Sequence, residues 1–370
     1  MDVKNVLLAA ISGEHIESEA GLALYKNASL PELAWAADAI CSRKHTDKLR
    51  TYVIDRNINY TNICVSGCKF CAFYKSPDAA DGYVLSDEAI LDKIGEAVEL
   101  GATQILMQGG LHPTLDIKYF ESLFNKIKEH FNIQLHSLSA PEIAHIAGIS
   151  GLATLETIKR LRDAGLDSLP GGGAEILVDS SRERVSPNKC SSTKWLAIMR
   201  EAAESGMRAT ATMVFGMGES LADRISHMQK IRELQGDTGV FTAFIPWPFQ
   251  PGNTELGGKS MGAHDYLKTL AVSRIFLDNI DNIQASWVTQ GAEIAQLALI
   301  FGANDIGSTM IEENVVAATG VSHKMNESEL ISLIHNAGFD AAQRSTLYEI
   351  IKRYPNRQSR KGVLSRKCES

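Results

Sequence analysis

The segment Cys64-Val-Ser-Gly-Cys68-Lys-Phe-Cys71 follows a run at positions 52–60 that is rich in β-branched and aromatic residues. The run predicts a strand, and the cysteine segment predicts the loop at the carboxyl end of that strand. The three thiols have C-x3-C-x2-C spacing. A [4Fe–4S] cluster is normally held by four thiolates, so three ligands in one loop leave one iron open to a small molecule. We therefore predict that Cys64, Cys68 and Cys71 are cluster ligands.

Two other kinds of cysteine site fit this spacing less well. Zinc accepts three cysteines and a histidine, but zinc ribbons usually pair their ligands as C-x2-C, and the sequence holds no second pair. Disulfide frameworks are typical of short secreted chains, whereas this chain has 6 cysteines in 370 residues. Cys41, Cys190 and Cys368 are scattered, and we predict ordinary thiols there. A zinc-stabilised binding protein is the non-enzymatic alternative.

The composition is that of a globular protein with enough apolar residues for a large core. The chain holds 37 basic and 44 acidic residues, a net charge of −7. This argues against nucleic acid as a partner, because phosphate binding needs clustered Lys and Arg. No apolar run approaches the roughly 20 residues that span a bilayer, so we expect no membrane partner. The N-terminus does not read as a signal peptide, and we expect a cytoplasmic protein, where reduced thiols suit an iron–sulfur cluster.

Short apolar runs alternate with helical patterns from about residue 51 onwards. The strand candidates after the first are Thr103–Met107, Ile133–His136, Leu166–Leu169, Ala209–Phe215, Val240–Ile245 and Ile283–Trp287. Such alternation predicts a parallel sheet with helical crossovers, and this number of units favours a closed barrel. We predict an α/β fold with a (β/α)8 TIM-type barrel at 51–320, an N-terminal helical cap at 1–50, and a C-terminal helical extension with a polar tail at 321–370.

The active sites of such barrels lie at the carboxyl ends of the strands. Gln108-Gly109-Gly110 follows the second predicted strand. Paired glycines permit close approach of a ligand to the backbone, although the pair also fits a simple turn. Its position one strand after the cysteine loop favours a site.

Polar side chains follow the third and fourth predicted strands. His136, Ser139 and Glu142 come after the third, although Ser139 also fits a helix N-cap with a proline early in the helix. Glu175 follows three glycines and is either a hydrogen-bond acceptor for a cofactor or a solvated loop carboxylate; we favour the acceptor. Arg182 or Arg184 is a candidate for binding a carboxylate, because arginine pairs with carboxylates through two parallel bonds.

The segment Pro246-Trp247-Pro248-Phe249-Gln250-Pro251 follows the sixth predicted strand. Three prolines make it stiff. Its two aromatic side chains either pack in the core, which is the usual case, or wall a dry pocket for an aromatic substrate.

From about residue 50 to at least 320 the chain resembles one subgroup of the radical S-adenosylmethionine (SAM) family. The resemblance rests on the cysteine loop with its spacing and on the strings Asp55–Asn62, Ala72–Tyr74, Gln108–Gly110, Pro170–Leu177 and Gly239–Trp247. The subgroup includes the dehypoxanthine futalosine cyclases of the futalosine route to menaquinone, aminofutalosine synthase, and the proteins that build the deazaflavin F0 chromophore. The cyclases match best, mainly through the strings Pro170–Leu177 and Phe241–Thr254.

The resemblance implies a [4Fe–4S] cluster on the three cysteines, with SAM on the fourth iron. It also implies cofactor contacts at Phe70, Gln108, Gly109, Gly110, Ser139, Glu142, Glu175 and Arg182. Many members of the family have an acidic residue after the two glycines, where this chain has Leu111. The amine of SAM must then be held by the main chain or by another side chain.

The implied reaction begins with reductive cleavage of SAM to a 5′-deoxyadenosyl radical, with an electron from a flavodoxin- or ferredoxin-type donor. The radical takes the C4′ hydrogen from the ribose of dehypoxanthine futalosine. The carbon radical then adds to the benzoate ring, and loss of one electron and one proton leaves a cyclic product. His136 is the first candidate for the base that takes the proton. Aminofutalosine synthase, which adds the adenosyl radical to an enolpyruvyl benzoate, and an F0-type enzyme are the alternatives within the family.

Overall fold

The computed structural model describes residues 2–356. The helices are α1 (Val3–Ser12), α2 (Ser18–Asn27), α3 (Leu30–Lys44), α4 (Asp87–Glu99), α5 (Ile117–His130), α6 (Ala140–Ser150), α7 (Thr154–Asp163), α8 (Asp179–Val185), α9 (Ser192–Glu204), α10 (Leu221–Thr238), α11 (Ala263–Phe276), α12 (Trp287–Gln290), α13 (Ala292–Ala298) and α14 (Glu327–Asn336), with a short 3-10 helix at Ala317–Thr319. The strands are β1 (Leu49–Val53), β2 (Asp55–Ile58), β3 (Gln104–Met107), β4 (Gln134–Ser137), β5 (Ser168–Leu169), β6 (Arg208–Phe215), β7 (Phe241–Pro248), β8 (Asn282–Ile283), β9 (Asp305–Ser308), β10 (Asp340–Arg344) and β11 (Ile350–Tyr354). The predicted polar tail and Cys368 lie outside the described residues.

The strands form a closed parallel barrel. Strands β2 to β8 pair in chain order. Gln284, just after β8, then bridges Asp305 of β9 in parallel register, and β9 pairs with β1. Since only Ile54 separates β1 from β2, the sheet returns to its starting point. The predicted (β/α)8 barrel is confirmed: within residues 2–356, eight strand positions surround the core, and β1 and β2 share the first.

The predicted strands differ from the observed ones in several places. Strand β7 continues to Pro248, so Pro246, Trp247 and Pro248 lie in the strand and not in the loop after it, and β5 holds only Ser168–Leu169. The run at 52–60 changes partners at Ile54, because β1 pairs with β9 and β10 whereas β2 pairs with β3. The run Ile283–Trp287 is a strand only as far as Ile283, and Trp287 begins α12. The Trp287 indole is buried and donates to the carbonyl of Ser308 at 2.9 Å.

The amphipathic helices bury the faces that their spacing predicts. In α5 the side chains of Phe120, Leu123, Phe124 and Ile127 are all buried. The helix begins after Asp116, whose carboxylate accepts from two N–H groups of the first turn. Within residues 2–356, no helix is both long enough and apolar enough to cross a membrane.

Segments at both ends of the chain pack on the barrel. Helices α1 to α3 pack together, and α2 and α3 contact α11. The C-terminal segment differs from the purely helical extension that we predict. Its described part holds α14 followed by a hairpin of β10 and β11, and β10 pairs in parallel with β1. This pairing carries the turn after β10 to the amino end of the barrel, because Tyr52 of β1 lies opposite Gln343.

Candidate active site

Two adjoining cavities occupy the barrel. The first has a volume of about 230 Å³, lies at the carboxyl ends of the strands, and is walled by the cysteine loop and the Gln108–Gly110 turn; we call it the cysteine cavity. The second has a volume of about 330 Å³ and runs through the barrel interior; we call it the barrel cavity. Phe70, Cys71 and Gln108 line both. The structure therefore places the predicted cluster ligands beside a cavity large enough for a second ligand.

Hydrogen bonds to sulfur hold the cysteine loop. The N–H groups of Ser66 and Leu111 donate to Cys64 Sγ at 3.4 and 3.2 Å, and the Ser66 hydroxyl lies 3.1 Å from Cys68 Sγ. Burial raises the pKa of the Cys64 and Cys71 thiols, while N–H donors to each sulfur oppose this rise. Such donors favour the thiolate, which is the form that binds metal.

The three thiols border one space, and their number and donor chemistry fit an iron–sulfur cluster. Cys64, Cys68 and Cys71 all line the cysteine cavity. Yet in the described part of the chain no three His, Cys, Asp or Glu side chains converge on one metal position. A cluster presents separate iron atoms to its thiolates, so its ligands stand apart around one space.

The two glycines of the Gln108–Gly110 turn are required by packing within the protein. A Cβ at Gly110 would overlap the backbone carbonyl of Ile63, and a Cβ at Gly109 would lie 2.6 Å from the Tyr60 ring. The turn thus lies directly against the residue that precedes Cys64. Both glycines also line the cysteine cavity, so a contact with a bound cofactor stays a prediction.

Glu142 joins this turn to helix α6. Its carboxylate accepts from Gly109 N at 2.9 Å, from the Tyr60 hydroxyl at 2.8 Å, and from Ser139 N and Oγ at 2.7 and 2.6 Å. Ser139 and Glu142 form the capping box of α6. Burial raises the pKa of Glu142, and these donors counteract the rise. The arrangement positions the turn, whatever else Ser139 and Glu142 contact.

Glu175 and Arg182 lie behind the cavity walls. Arg182 donates to the carbonyls of Ala174, Gly173 and Cys190 at 2.5, 3.1 and 2.7 Å, so its guanidinium braces the loop after β5. Neither Glu175 nor Arg182 lines the cysteine cavity or the barrel cavity. Arg182 Nη1 also lies 3.6 Å from Glu175 Oε2, so the carboxylate nearest to Arg182 is that of Glu175. A contact of either residue with a cofactor stays a prediction.

Lys189 is a functional candidate that the sequence does not reveal. Its Nζ donates to Glu175 Oε1 at 2.7 Å and lies 5.1 Å from the centroid of the Phe70 ring, and its side chain lines the cysteine cavity. Burial alone would lower the pKa of Lys189, but the negative charges of Cys68 and Glu175 outweigh burial and raise it. A cation therefore faces the cluster site. No motif surrounds Lys189, which explains why the sequence does not point to it.

His136 lines the barrel cavity as a neutral imidazole. Its Nδ1 lies 2.7 Å from the Ser168 hydroxyl and its Nε2 lies 3.5 Å from that of Thr210. Burial and then the nearby Arg344 charge lower its pKa to about 3. Such an imidazole accepts or donates hydrogen bonds readily but holds a proton poorly at neutral pH. Its place in the wall agrees with the prediction, while a role as base stays a proposal.

The amino end of the barrel cavity is polar, and we call it the floor. The Asp55 carboxylate accepts from Gln104 Nε2 at 2.7 Å and from the Ser308 hydroxyl. Arg344 pairs with Asp305 through Nε at 2.5 Å and Nη2 at 3.0 Å. These residues lie far apart in the sequence, so no local spacing links them.

The stiff segment after the sixth predicted strand contributes an aromatic wall. Trp247, Pro248 and Phe249 all line the barrel cavity, together with the apolar Leu106 and Met310. The structure therefore supports the second interpretation of these aromatic residues. The middle of the cavity is mainly apolar between its two polar ends.

Comparisons with known proteins agree with this fold and site. The model of the radical SAM superfamily matches residues 58–231, and that of the CofH/MqnC C-terminal region matches residues 238–357. Two solved structures share the fold at low identity. The FeFe-hydrogenase maturase HydG from Carboxydothermus hydrogenoformans aligns with a TM-score of 0.74 at 16% identity, over 94% of this chain and 80% of that one. Methylornithine synthase (PylB) aligns with a TM-score of 0.72 at 17% identity, over 90% of this chain and 96% of that one.

The barrel, the three-cysteine loop and these matches define an enzyme of the radical SAM superfamily. The chain is 47% identical to cyclic dehypoxanthine futalosine synthase of Halalkalibacterium halodurans, over 97% of this chain and 98% of that protein. It is 46% identical to the Streptomyces coelicolor protein of the same name, over 94% of this chain and 88% of that one. The chain belongs to the cyclic dehypoxanthine futalosine synthase family. It is also 39% identical to 5-amino-6-(D-ribitylamino)uracil–L-tyrosine 4-hydroxyphenyl transferase of Methanopyrus kandleri, over 82% of this chain and 85% of that one.

Proposed function

We propose that this enzyme converts dehypoxanthine futalosine into its cyclic form in menaquinone biosynthesis. The observation that carries this proposal is the 47% identity to a cyclic dehypoxanthine futalosine synthase over nearly the whole of both chains. The cavities support it, because a cluster site opens into an apolar chamber with polar ends.

Cys64, Cys68 and Cys71 would hold a [4Fe–4S] cluster, and SAM would lie in the cysteine cavity beside Gly109 and Gly110. When bound, this pair would supply a 5′-deoxyadenosyl radical for hydrogen abstraction at C4′ of the substrate, which is the chemistry that closure of the ring on the benzoate requires. An electron donor of the flavodoxin or ferredoxin type and a cytoplasmic location complete the proposal.

The barrel cavity would hold the substrate. Its volume of about 330 Å³ lies at the lower end of the range, about 300–1,000 Å³, that is typical of small-molecule sites. Trp247, Phe249, Leu106 and Met310 keep the middle of the cavity dry and stiff. Such walls hold two reacting groups at near-attack distance and exclude water from a reactive intermediate.

His136 would act on the substrate from the side wall. Its imidazole is neutral and bonded to Ser168, so it can orient a polar substrate group by accepting or donating one hydrogen bond. It takes the final proton only if the bound substrate radical or its product raises the imidazole pKa.

Turnover of reconstituted protein with SAM, a reductant and dehypoxanthine futalosine tests the proposal. We expect a product lighter than the substrate by two hydrogen atoms, and with substrate deuterated at C4′ we expect the label in 5′-deoxyadenosine. Incorporation of adenosine into a product from an enolpyruvyl benzoate would instead indicate aminofutalosine synthase.

The second candidate function is that of an F0-type enzyme, which the 39% identity to the Methanopyrus kandleri transferase favours. Conversion of 5-amino-6-(D-ribitylamino)uracil and tyrosine, with no cyclisation of dehypoxanthine futalosine, would support this second candidate. Anaerobic analysis that finds one zinc and no iron would end all of the radical proposals.

A further inference from the structure

We propose that the turn after β10, residues 344–348, is the carboxylate-binding part of the floor and holds the benzoate end of the substrate. This inference rests on the proposed function, because it names the part of that substrate which the C-terminal hairpin binds. The three residues that carry it are Arg344, Thr346 and Tyr348, all of which line the barrel cavity.

The floor lies at the end of the cavity remote from the cysteines. Gln108 lines the cavity beside Cys71, whereas Gln104, at the other end of β3, is bonded to Asp55 in the floor. Gln108 lies four residues after Gln104 along extended backbone, so the two glutamines are about 13 Å apart. A substrate whose ribose lies near the cysteine cavity therefore extends its second ring toward residues 344–348.

Two hydroxyls of the floor have no partner. Thr346 Oγ1 and Tyr348 OH are buried, and neither has a hydrogen-bond partner within residues 2–356. Thr346 is only 7% exposed. Buried hydroxyls are normally paired, and an unpaired one costs free energy. A ligand that accepts hydrogen bonds from both hydroxyls removes that cost.

Arg344 adds donors to the same place. It is the one Lys or Arg in the wall of the barrel cavity within the described residues. Its Nε and Nη2 donate to Asp305, and its Nη1 donates to the Ser345 carbonyl at 3.1 Å. A guanidinium has five N–H groups, so two remain for a ligand. Arg344 Cζ also lies 4.0 Å from the centroid of the Tyr348 ring, which fixes the position of that ring.

The balance of donors and acceptors selects the ligand. Asp305 is occupied by Arg344, and Asp55 already accepts from Gln104 and Ser308. The uncommitted groups of the floor include two hydroxyls, which donate or accept, and two guanidinium N–H groups, which only donate. A carboxylate has two oxygens that only accept, so it can use the N–H groups and both hydroxyls as donors at once. Asp305 offsets the charge of Arg344, and the Asp55 carboxylate also lies in the floor, so directed hydrogen bonds and not net positive charge would hold the ligand.

The test measures substrate binding without turnover. Calorimetry with reconstituted protein and SAM, but no reductant, should show that Tyr348→Phe and Thr346→Val each raise the Kd for dehypoxanthine futalosine by about 10-fold to 100-fold. Both variants keep the shape of the side chain and remove an unpaired hydroxyl, so their melting temperatures should not fall. The controls are Tyr119→Phe and Thr103→Val, because those hydroxyls are also buried and unpaired but do not line the cavity. The controls should bind like the wild type.

A carboxamide analogue of the substrate identifies the group that the floor binds. The wild type should prefer the acid, and the two floor variants should lose that preference. Unchanged Kd values in both variants would overturn the proposal, and so would equal weakening for acid and carboxamide. Free benzoate, observed by ligand NMR, separates this inference from the proposed function. If the wild type binds benzoate through these hydroxyls but never cyclises the substrate, the floor stands and the proposed function falls.

Discussion

Lys189 Nζ lies 2.7 Å from Glu175 Oε1, and the Lys189 side chain lines the same cavity as the three cysteine thiols. The Lys189 charge faces Cys68, whereas Glu175 lies outside both cavities. A cation at this position stabilises the more negative, reduced form of a cluster.

Lys189→Met should therefore shift the midpoint potential of the cluster to a more negative value. A redox titration of the reconstituted protein without SAM, followed by electron paramagnetic resonance, measures this potential. Lys159→Met, on the exposed surface of α7, is the control and should leave the potential unchanged. The double variant Lys189→Met/Glu175→Gln removes both charges and should recover part of the shift. Equal potentials in the wild type and Lys189→Met would show that the cation does not act on the cluster.

Removal of any one of Cys64, Cys68 and Cys71 should prevent stable cluster assembly. Two thiolates hold the cluster poorly, so each Ala variant should lose most of its iron and sulfide. It should also lose the broad absorbance at about 400 nm that is typical of such clusters. Cys190→Ala is the control, because Cys190 lies outside the walls of both cavities. A variant of the triplet that retains full iron content would contradict the assignment of the ligands.

Gly110→Ala should disturb the cysteine loop even before any cofactor binds. The new Cβ would overlap the Ile63 carbonyl, which cannot move without displacing Cys64. We expect a lower melting temperature and poor iron loading. Gly148→Ala is the matched control in α6, where no atom lies within 4 Å of the new Cβ, and it should stabilise the protein by about 0.5–1 kcal/mol. If Gly110→Ala has the melting temperature of the wild type but does not bind SAM, then the need for a glycine at position 110 comes from ligand access and not from packing.

Local pattern was sufficient to predict the barrel and the cluster loop. Strand–helix alternation is read within windows of a few residues, and the three cysteines lie within eight residues of one another. Pairing between distant segments was not predictable in this way. The hairpin of β10 and β11 depends on contact with β1, about 290 residues earlier in the chain, and no periodicity records that contact.

The same division holds for the site: residues in a local motif can be predicted from the sequence, and residues that the fold brings in from a distance cannot. The spacing of Cys64 and Gly110 in the sequence is enough to predict both as site residues. The structure adds a second reason for Gly110, because a side chain there would overlap the Ile63 carbonyl. The chemistry of Arg182 predicts a contact with a carboxylate, and the fold brings Glu175 to 3.6 Å from it and three backbone carbonyls to its N–H groups. Lys189 and Arg344 face the cavities, but only the fold brings them there.

Burial of His136 should make stability depend on pH below about 6.5. The folded pKa is about 3, while an unfolded chain has a value of about 6.5. Between these values the unfolded state binds a proton that the folded state excludes, so the contribution is full above about 6.5 and is lost as the pH falls toward 3. The loss approaches about 1.4 kcal/mol per pH unit.

Urea unfolding of the wild type and of His136→Gln from pH 7.5 to pH 4.5 measures this contribution as the difference between their free energies of unfolding. The buried carboxylates are common to both proteins, so their effect cancels in this difference. The difference in the free energy of unfolding should shrink by about 1.4 kcal/mol per pH unit below pH 6.

His227→Gln is the matched comparison, because burial also lowers the pKa of His227 to about 3 and that side chain lines neither cavity. It should give the same slope while leaving cyclisation intact, whereas His136→Gln should also slow cyclisation. A difference that does not change with pH for His136→Gln alone would mean that His136 is solvated or charged in the folded protein, and the role of a neutral, orienting imidazole would fall.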